Sequence, residues 1–358
     1  MKNKLLLFLL LATTLLHAQP FTEYQKTWAT FFGCGTFGGG YNYAQDNAGN
    51  LYFAVDLSQT TVAHTPEVVM HFNQFVLPLN TNSEYRSQNS QGILVKISPQ
   101  GQVLQASYLP FRIDNLTINN NNEIFATGST THTTLATPGT FAQTPFVTNV
   151  NDNNYYILAK LNPNFTTNWL SYIPTYDFLH IKIDVQNNIY FGGNTKVTSG
   201  ITTTNAHQQH FINYPNSAGN GYLAKFNNQG QLVWATYYDN TMGYNNMHIL
   251  GDELVFAHFI SNTSTFTTTP NAYHTTPSKN LISKFNIHTG ARTYASYLNI
   301  NHYGIFDTTT DGTNIYLLSA ANFLPESINT LFISPQAYQT QLSGGSDYYL
   351  IKLDNNLH

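Results

Sequence analysis

Several residue sets in this chain have the types and spacing to do chemistry. In "GCGTFGGG" (33–40), Gly33, Gly35 and Gly38 form G-x-G-x-x-G directly after "TWATFF" (27–32), which reads as a β-strand. Such glycines can bring backbone against a pyrophosphate, provided that a helix comes next to receive the charge at its N-terminus. Four aspartates, Asp114, Asp177, Asp239 and Asp307, could supply the paired carboxylates of a glycoside hydrolase. His207 and His210 in "AHQQH", with His64, His132 and His274 in similar segments, raise metal coordination. Cys34, the single cysteine, could be a nucleophile but cannot form an internal disulfide.

The elements that would position these residues decide between the readings. The glycines lead into "YNYAQDNAGNLYFAVD" (41–56), two alternating strands around a turn, so no helix meets a pyrophosphate and no dinucleotide cofactor is expected. That hairpin recurs as "NLTINNNNEIFATGS" (115–129), "LHIKIDVQNNIYFGGN" (179–194), "NMHILGDELVFAHF" (246–259) and "IFDTTTDGTNIYLLSA" (305–320). A second hairpin comes after each, as in "GILVKISPQGQVLQASYLP" (92–110), "YILAKLNPNFTTNWLSYIP" (156–174), "GYLAKFNNQGQLVWATYYD" (221–239) and "NLISKFNIHTGARTYASYL" (280–298). A fifth copy begins at "YYLIKLDNNLH" (348–358). Its register lysines are Lys96, Lys160, Lys225, Lys284 and Lys352, spaced 64, 65, 59 and 68 residues apart.

Each unit is thus four antiparallel strands, a to d, with a long loop between b and c, and repetition of such units describes an all-β β-propeller. The approximate repeats are 41–110, 111–174, 175–239, 240–298 and 299–358, within a single domain over 19–358. The missing outer strand of the fifth copy is matched at the other end, where "TWATFF" (27–32) parallels "VWATYY" (233–238), so five blades closed by the N-terminal strand are expected. The b–c loops carry a phrase of their own, "TPGTFAQT" (137–144), "TTNAHQQH" (203–210), "TPNAYHTT" (269–276) and "SPQAYQTQ" (334–341), expected to anchor each loop onto its blade.

Composition and the first residues set the compartment. Lys2 and Lys4, an apolar run from Leu5 to Leu16 and the small Ala18 read as a signal peptide over 1–18. The run is too short for a membrane span, which needs about 20 residues, and no later segment approaches one. Charged residues are 9% against about 25% in ordinary soluble domains, and the net charge is −4, which excludes a nucleic-acid footprint. The weakly charged, aromatic-rich surface suits neutral partners such as glycans or surface proteins, met by a monomer outside the cell.

Residue by residue, architecture outweighs catalysis. Counted back from Ile124, Ile189, Leu254 and Ile315, the four aspartates fall at 10, 12, 15 and 8 residues, a scatter that argues against shared catalytic geometry. The histidines read as surface residues, one per loop rather than a coordination shell, and no metal site is assigned. The recurring lysines are expected to run their stems along apolar neighbours and send their charge to solvent. Trp28, Trp169 and Trp234 share one outer-strand register and are expected to pack blade on blade. No catalytic residue is nominated, and the loops around 58–90, 130–154, 195–219 and 320–346 are the expected binding face.

In "QDNAGNLYFAVD", "TPGTFAQT", "ILAKLNPNFTTNWLSYI" and "YLAKFNNQGQLVWATYY" the chain resembles the SBBP family of bacterial secreted β-propeller repeats, across almost all of 19–358. The resemblance implies an exported or cell-surface protein of Bacteroidetes-like origin, acting in binding or adhesion without a defined catalytic site. Two departures stand out: the family name implies seven blades where five copies are counted, and the C-terminal anchoring domain that often follows such repeats is not found in 19–358. The alternatives are a secreted carbohydrate-active hydrolase or lyase working at the channel mouth, and a structural fragment of a larger surface protein.

Overall fold

The computed structural model describes residues 29, 42–56, 91–146, 154–213, 219–238, 246–260, 266–298, 305–322, 334, 336–340, 346–354 and 357. These contain nineteen strands and no helix. The first sheet is β1 (Asn42–Gln45), β2 (Leu51–Asp56), β3 (Gly92–Ile97) and β4 (Val103–Leu109). The second is β5 (Arg112–Ile118), β6 (Ile124–Thr130), β7 (Tyr155–Leu161) and β8 (Thr167–Tyr172). The third is β9 (Asp177–Ile183), β10 (Ile189–Thr195), β11 (Asn220–Phe226) and β12 (Leu232–Tyr238). The fourth is β13 (Asn246–Leu250), β14 (Glu253–Phe259), β15 (Asn280–Asn286) and β16 (Arg292–Leu298). The fifth has β17 (Ile305–Thr310), β18 (Ile315–Asn322) and β19 (Ser346–Leu353) among the described residues. Every pairing is between sequence neighbours and antiparallel, as in a meander. The first strands of successive sheets adjoin in the order β1, β5, β9, β13, β17, which places them innermost about a common axis. This is a β-propeller, and each sheet is called a blade below.

Side chains build the turns before the blades meet. Between strands a and b of the first blade, Asp46 accepts from the backbone N–H of Ala48 and Asn50, the Asn50 amide and the Tyr52 hydroxyl. Burial opposes the charge of Asp46, but the Asn50 hydrogen bonds and Lys96 outweigh it and hold the carboxyl at about 2. Asp184 and Asp311 repeat the arrangement with Asn188 and Tyr190, and with Asn314 and Tyr316. Between strands c and d the chain enters the left-handed region at Gly101, Gly230 and Gly290, and at the equivalent Phe165 and Leu357 (φ 67° and 64°). One residue of strand d then bulges directly after the lysine register in each of the four complete blades.

The blades are joined at those same turns. The indole of Trp169 in the second blade donates to the Asn228 carbonyl of the third at 2.8 Å, and Lys160 Nζ donates to Asn228 Oδ1 at 2.8 Å. A Cβ on Gly230 would stand 2.8 Å from the Trp169 ring, so the glycine is required both by its φ of 74° and by the indole above it. One blade on, Trp234 and Lys225 both donate to the Ile287 carbonyl, at 3.0 and 3.1 Å, and Gly290 lies under the indole. Where the first blade carries Gln105 at the tryptophan register, the second fills the glycine register with Phe165, 1% exposed and edge-on to Tyr52 at 6.0 Å. Tyr294 of the fourth blade is likewise answered by the buried Leu357 in one apolar cluster. Bulk on one side of the joint is thus exchanged against bulk on the other.

The loop phrase clasps the outer edge of its own blade in each of the second, third and fourth. Thr137 N–H donates to the Leu170 carbonyl and Tyr172 N–H to the Ala142 carbonyl. Thr203 and Gln208 do the same with Ala235 and Tyr237, and Thr269 and His274 with Ala295 and Tyr297. Ser171, Thr236 and Ser296 hydroxyls accept from the amides of Ala142, Gln208 and His274. An outer strand that would otherwise offer open ladder groups is covered by its own loop.

The expectation that the lysines send their charge to solvent is corrected in part: Lys352 is exposed, but Lys96 pairs with Asp46 at 3.2 Å, Lys160 with Glu123 at 2.7 Å, and both lie over aromatic rings. Lys160 and Lys225 are buried because the next blade's turn supplies their acceptors. The outer strands begin at Val103, Thr167 and Leu232, and the bulge sets one unpaired residue just ahead of Gln105, Trp169 and Trp234. Residues 1–18, the segment 27–32 with Trp28 expected as the closing strand, Gly33, Gly35, Gly38 and Cys34 lie outside the described residues, apart from Ala29, which is exposed and in no strand.

Truncating Trp169 to Ala should cost about 3–5 kcal/mol in chemical denaturation. Gly230→Ala should destabilise the wild type more than a Trp169→Leu background, with a coupling of about 0.5–3 kcal/mol in the double-mutant cycle.

Candidate functional site: the axial pocket

A pocket of about 160 Å³ opens where the inner strands converge, lined among others by Asn115, Thr117, His180, Lys182, His248 and Asp307. Strands β5, β9, β13 and β17 each contribute, so the site exists only when four blades are assembled. Its β9 residues come from "LHIKI", where Ile181 packs into the core and His180 and Lys182 take the other face. On β13, Met247 is buried while His248 reaches across to β17.

His248 Nε2 lies 2.7 Å from the Thr308 carbonyl oxygen, which can only accept, so Nε2 carries the proton. Asp307 Oδ1 accepts from the Thr308 N–H at 2.8 Å. Burial holds His180 down at about 4, with the Lys182 charge adding to the effect and Asp307 opposing it. His248 is lowered by burial first and Lys182 second, against its Thr308 hydrogen bond and Asp307. Lys182 is exposed on its strand, yet partial burial of its amine lowers its pKa, with Asp307 opposing. Near neutral pH the pocket therefore offers two neutral imidazoles, set beside amide and hydroxyl groups and the side chains of Lys182 and Asp307.

The sequence-nominated residues are dispersed. Asp307 is in the pocket and exposed, but Asp114 sits between the first and second blades, 3.0 Å from Arg112, which also faces Asp56 at 3.6 Å. Burial raises the Asp114 pKa, with Arg112 opposing. Asp177 opens β9 opposite Asn194, its side chain outside the described residues, as is all of Asp239. His207 and His210 are exposed in their loop, with His207 edge-on to Phe285 at 5.9 Å, while His132 and His274 are half-buried in theirs and His64 lies outside the described residues. Among the described residues no three His, Cys, Asp or Glu side chains converge as a metal site requires.

The reading of all histidines as surface residues is corrected by His180, His248 and His258. His258 is 1% exposed within Tyr238, Phe256 and Phe266, and burial lowers its pKa to about 3. The alternation in "LHIKI" was the available signal for His180 and Lys182, since polar residues on an innermost strand have only the axis to face.

The fold and pocket define a β-propeller with a polar axial site. No protein-family profile and no curated protein matches the chain. Among solved structures it is similar to hydrazine synthase of Kuenenia stuttgartiensis, at 10% identity over 77% of this chain and 60% of that one, TM-score 0.44. It is also similar to exo-β-1,3-galactanase of Phanerochaete chrysosporium (9% identity, 92% and 62% covered, TM-score 0.37). BamB of Moraxella catarrhalis gives 13% identity, 77% and 66% coverage and TM-score 0.30. The chain spans between 60% and 66% of the length of these three proteins.

Native pKa values of about 4 for His180 and about 3 for His258 lie below the ordinary imidazole value of about 6.5. Below about 6.5 the unfolded chain therefore binds more protons than the native one, so stability is full above that pH and falls as pH drops toward 4 and 3. Urea midpoints should be lower at about pH 5 than at about pH 7, and His258→Leu should reduce the difference.

Proposed function

We propose that this chain is an exported β-propeller binding module of the SBBP type, which presents its axial pocket and the adjoining loops to a neutral glycan on or outside the cell surface. The observation that carries the reading is the pocket itself. Its polar groups come from four blades, its imidazoles are held neutral, and Asp307 is the one carboxylate among the residues that line it. Neutral donors and acceptors on a rigid scaffold suit hydroxyl-rich ligands. Hydrolysis by an acid and its partner needs two carboxylates about 5–9.5 Å apart across the bond, and the described lining residues provide one.

Purified chain, screened against soluble polysaccharides and cell-wall fragments, should show saturable binding without release of reducing ends. Substituting His180→Ala or Lys182→Met should weaken binding about 10-fold or more while leaving the denaturation midpoint near wild type. Product release abolished by Asp307→Asn would replace this reading with a hydrolase, and binding unaffected by all three substitutions would remove the pocket from it.

A further inference from the structure

At the joint between the second and third blades, Lys160 meets two side chains at once. Its Nζ lies 2.7 Å from Glu123 Oε1, on its own blade, and 2.8 Å from Asn228 Oδ1, in the c–d turn of the third. The lysine side chain is 6% exposed, and its nitrogen lies over the Phe125 ring at 5.4 Å. Both partners are held from behind. The Asn119 amide donates to Glu123 Oε2 at 2.7 Å, which leaves Oε1 for the lysine. The Trp169 indole donates to the Asn228 carbonyl, while the Asn227 side chain accepts from the backbone N–H of Gln229 and Gln231, so the turn that carries Asn228 has little freedom. One joint on, Lys225 meets the main-chain carbonyl of Ile287 instead, and in the first blade Lys96 meets Asp46. At Lys160 an amine, a carboxylate and a carboxamide stand in contact on rigid elements, with the lysine screened from bulk water. Those are the nucleophile, proton carrier and leaving group of an amide exchange, already brought together.

We propose that Lys160 and Asn228 join in an isopeptide bond that ties the second blade to the third, with Glu123 moving the protons. The ion pair is the starting point: burial opposes the charge of Glu123, but hydrogen bonds from Lys160 and Asn119 outweigh it and keep the carboxyl below its usual range. Lys160 first passes a proton to Glu123 Oε1 along the 2.7 Å contact, leaving a neutral amine. Exchange of two charges for two neutral groups is made less costly by the buried, aromatic surroundings of the lysine. The Nζ lone pair then attacks Asn228 Cγ, forming the new C–N bond and moving the carbonyl electrons onto Oδ1. Glu123 gives its proton to Nδ2, the Cγ–Nδ2 bond breaks as the carbonyl re-forms, and ammonia departs. The extra proton left on Nζ goes with it, so ammonium is released and Glu123 ends as a carboxylate. No oxidant or cofactor enters. The bond links positions 68 apart in the sequence, across a joint that is otherwise held by hydrogen bonds and packing.

Intact mass is the direct test. The folded wild-type chain should be lighter by one ammonia than its sequence after N-terminal processing, and in denaturing electrophoresis it should run differently from a linear chain of the same length. Digestion should yield one branched peptide that joins Lys160 to Asn228. Lys160→Arg keeps the charge without the nucleophile, and Asn228→Ala removes the leaving group; both should have the full mass and the linear mobility. Glu123→Gln keeps an acceptor for the lysine but cannot take its proton, and should slow linkage by about 100-fold or more. Full mass in the folded wild-type chain overturns the proposal, whether or not any variant folds. So does an ammonia loss that persists in Lys160→Arg, which would mark an asparagine closing on its own backbone as an imide. Linkage at the wild-type rate in Glu123→Gln would overturn the carboxylate's part in it.

Discussion

Everything in this architecture depends on the turn between strands c and d being gripped by the preceding blade. A sheet of four short strands is not stable alone, and the propeller solves this by burying one face of each blade against the next. Apolar contact fixes how close the blades come but not their angle. The paired donors do that: Trp169 and Lys160 converge on Asn228, and Trp234 and Lys225 on the Ile287 carbonyl. The lysine contributes here because the next blade supplies an acceptor for its charge and an aromatic face lies beneath it, as with Lys225 over Tyr190 at 5.1 Å.

The axial pocket depends on that grip. Its lining residues lie on four different strands and touch little of each other's sequence, so their spacing is set by the angle between blades. A histidine on β13 can meet a threonine carbonyl on β17 only because the joints hold the two inner strands at that distance. The loop phrases of the second, third and fourth blades do complementary work on the rim, closing their outer strands while the inner ones stay open to the axis.

Much of this was legible in the sequence, for a physical reason. Alternation, turn residues and the repeated lysine are local signals, and they gave the strand pairs, the blade order and the loop phrase. The features that stayed hidden depend on neighbours that are distant along the chain. Alternation shows that His180 and Lys182 share a face, but not that the face lines a pocket with residues from other blades. Lysine at a strand position reads as solvated until the facing turn is known. Phe165 and Leu357 in the left-handed region contradict local preference outright, since bulky residues avoid it. Their burial against the preceding blade is what holds them there.

The exchange of bulk across the joints also bears on how such a chain can change by gain or loss of whole repeats. Removing the third blade would bring Trp169 onto the turn of Gly290, a pairing already present in the protein. Removing the second would set Gln105 over Gly230 and leave the space now filled by Phe165 empty. Removing the fourth would drive Trp234 against Leu357. Neighbouring repeats are therefore matched as pairs, and recombination between copies is free at some boundaries and obstructed at others.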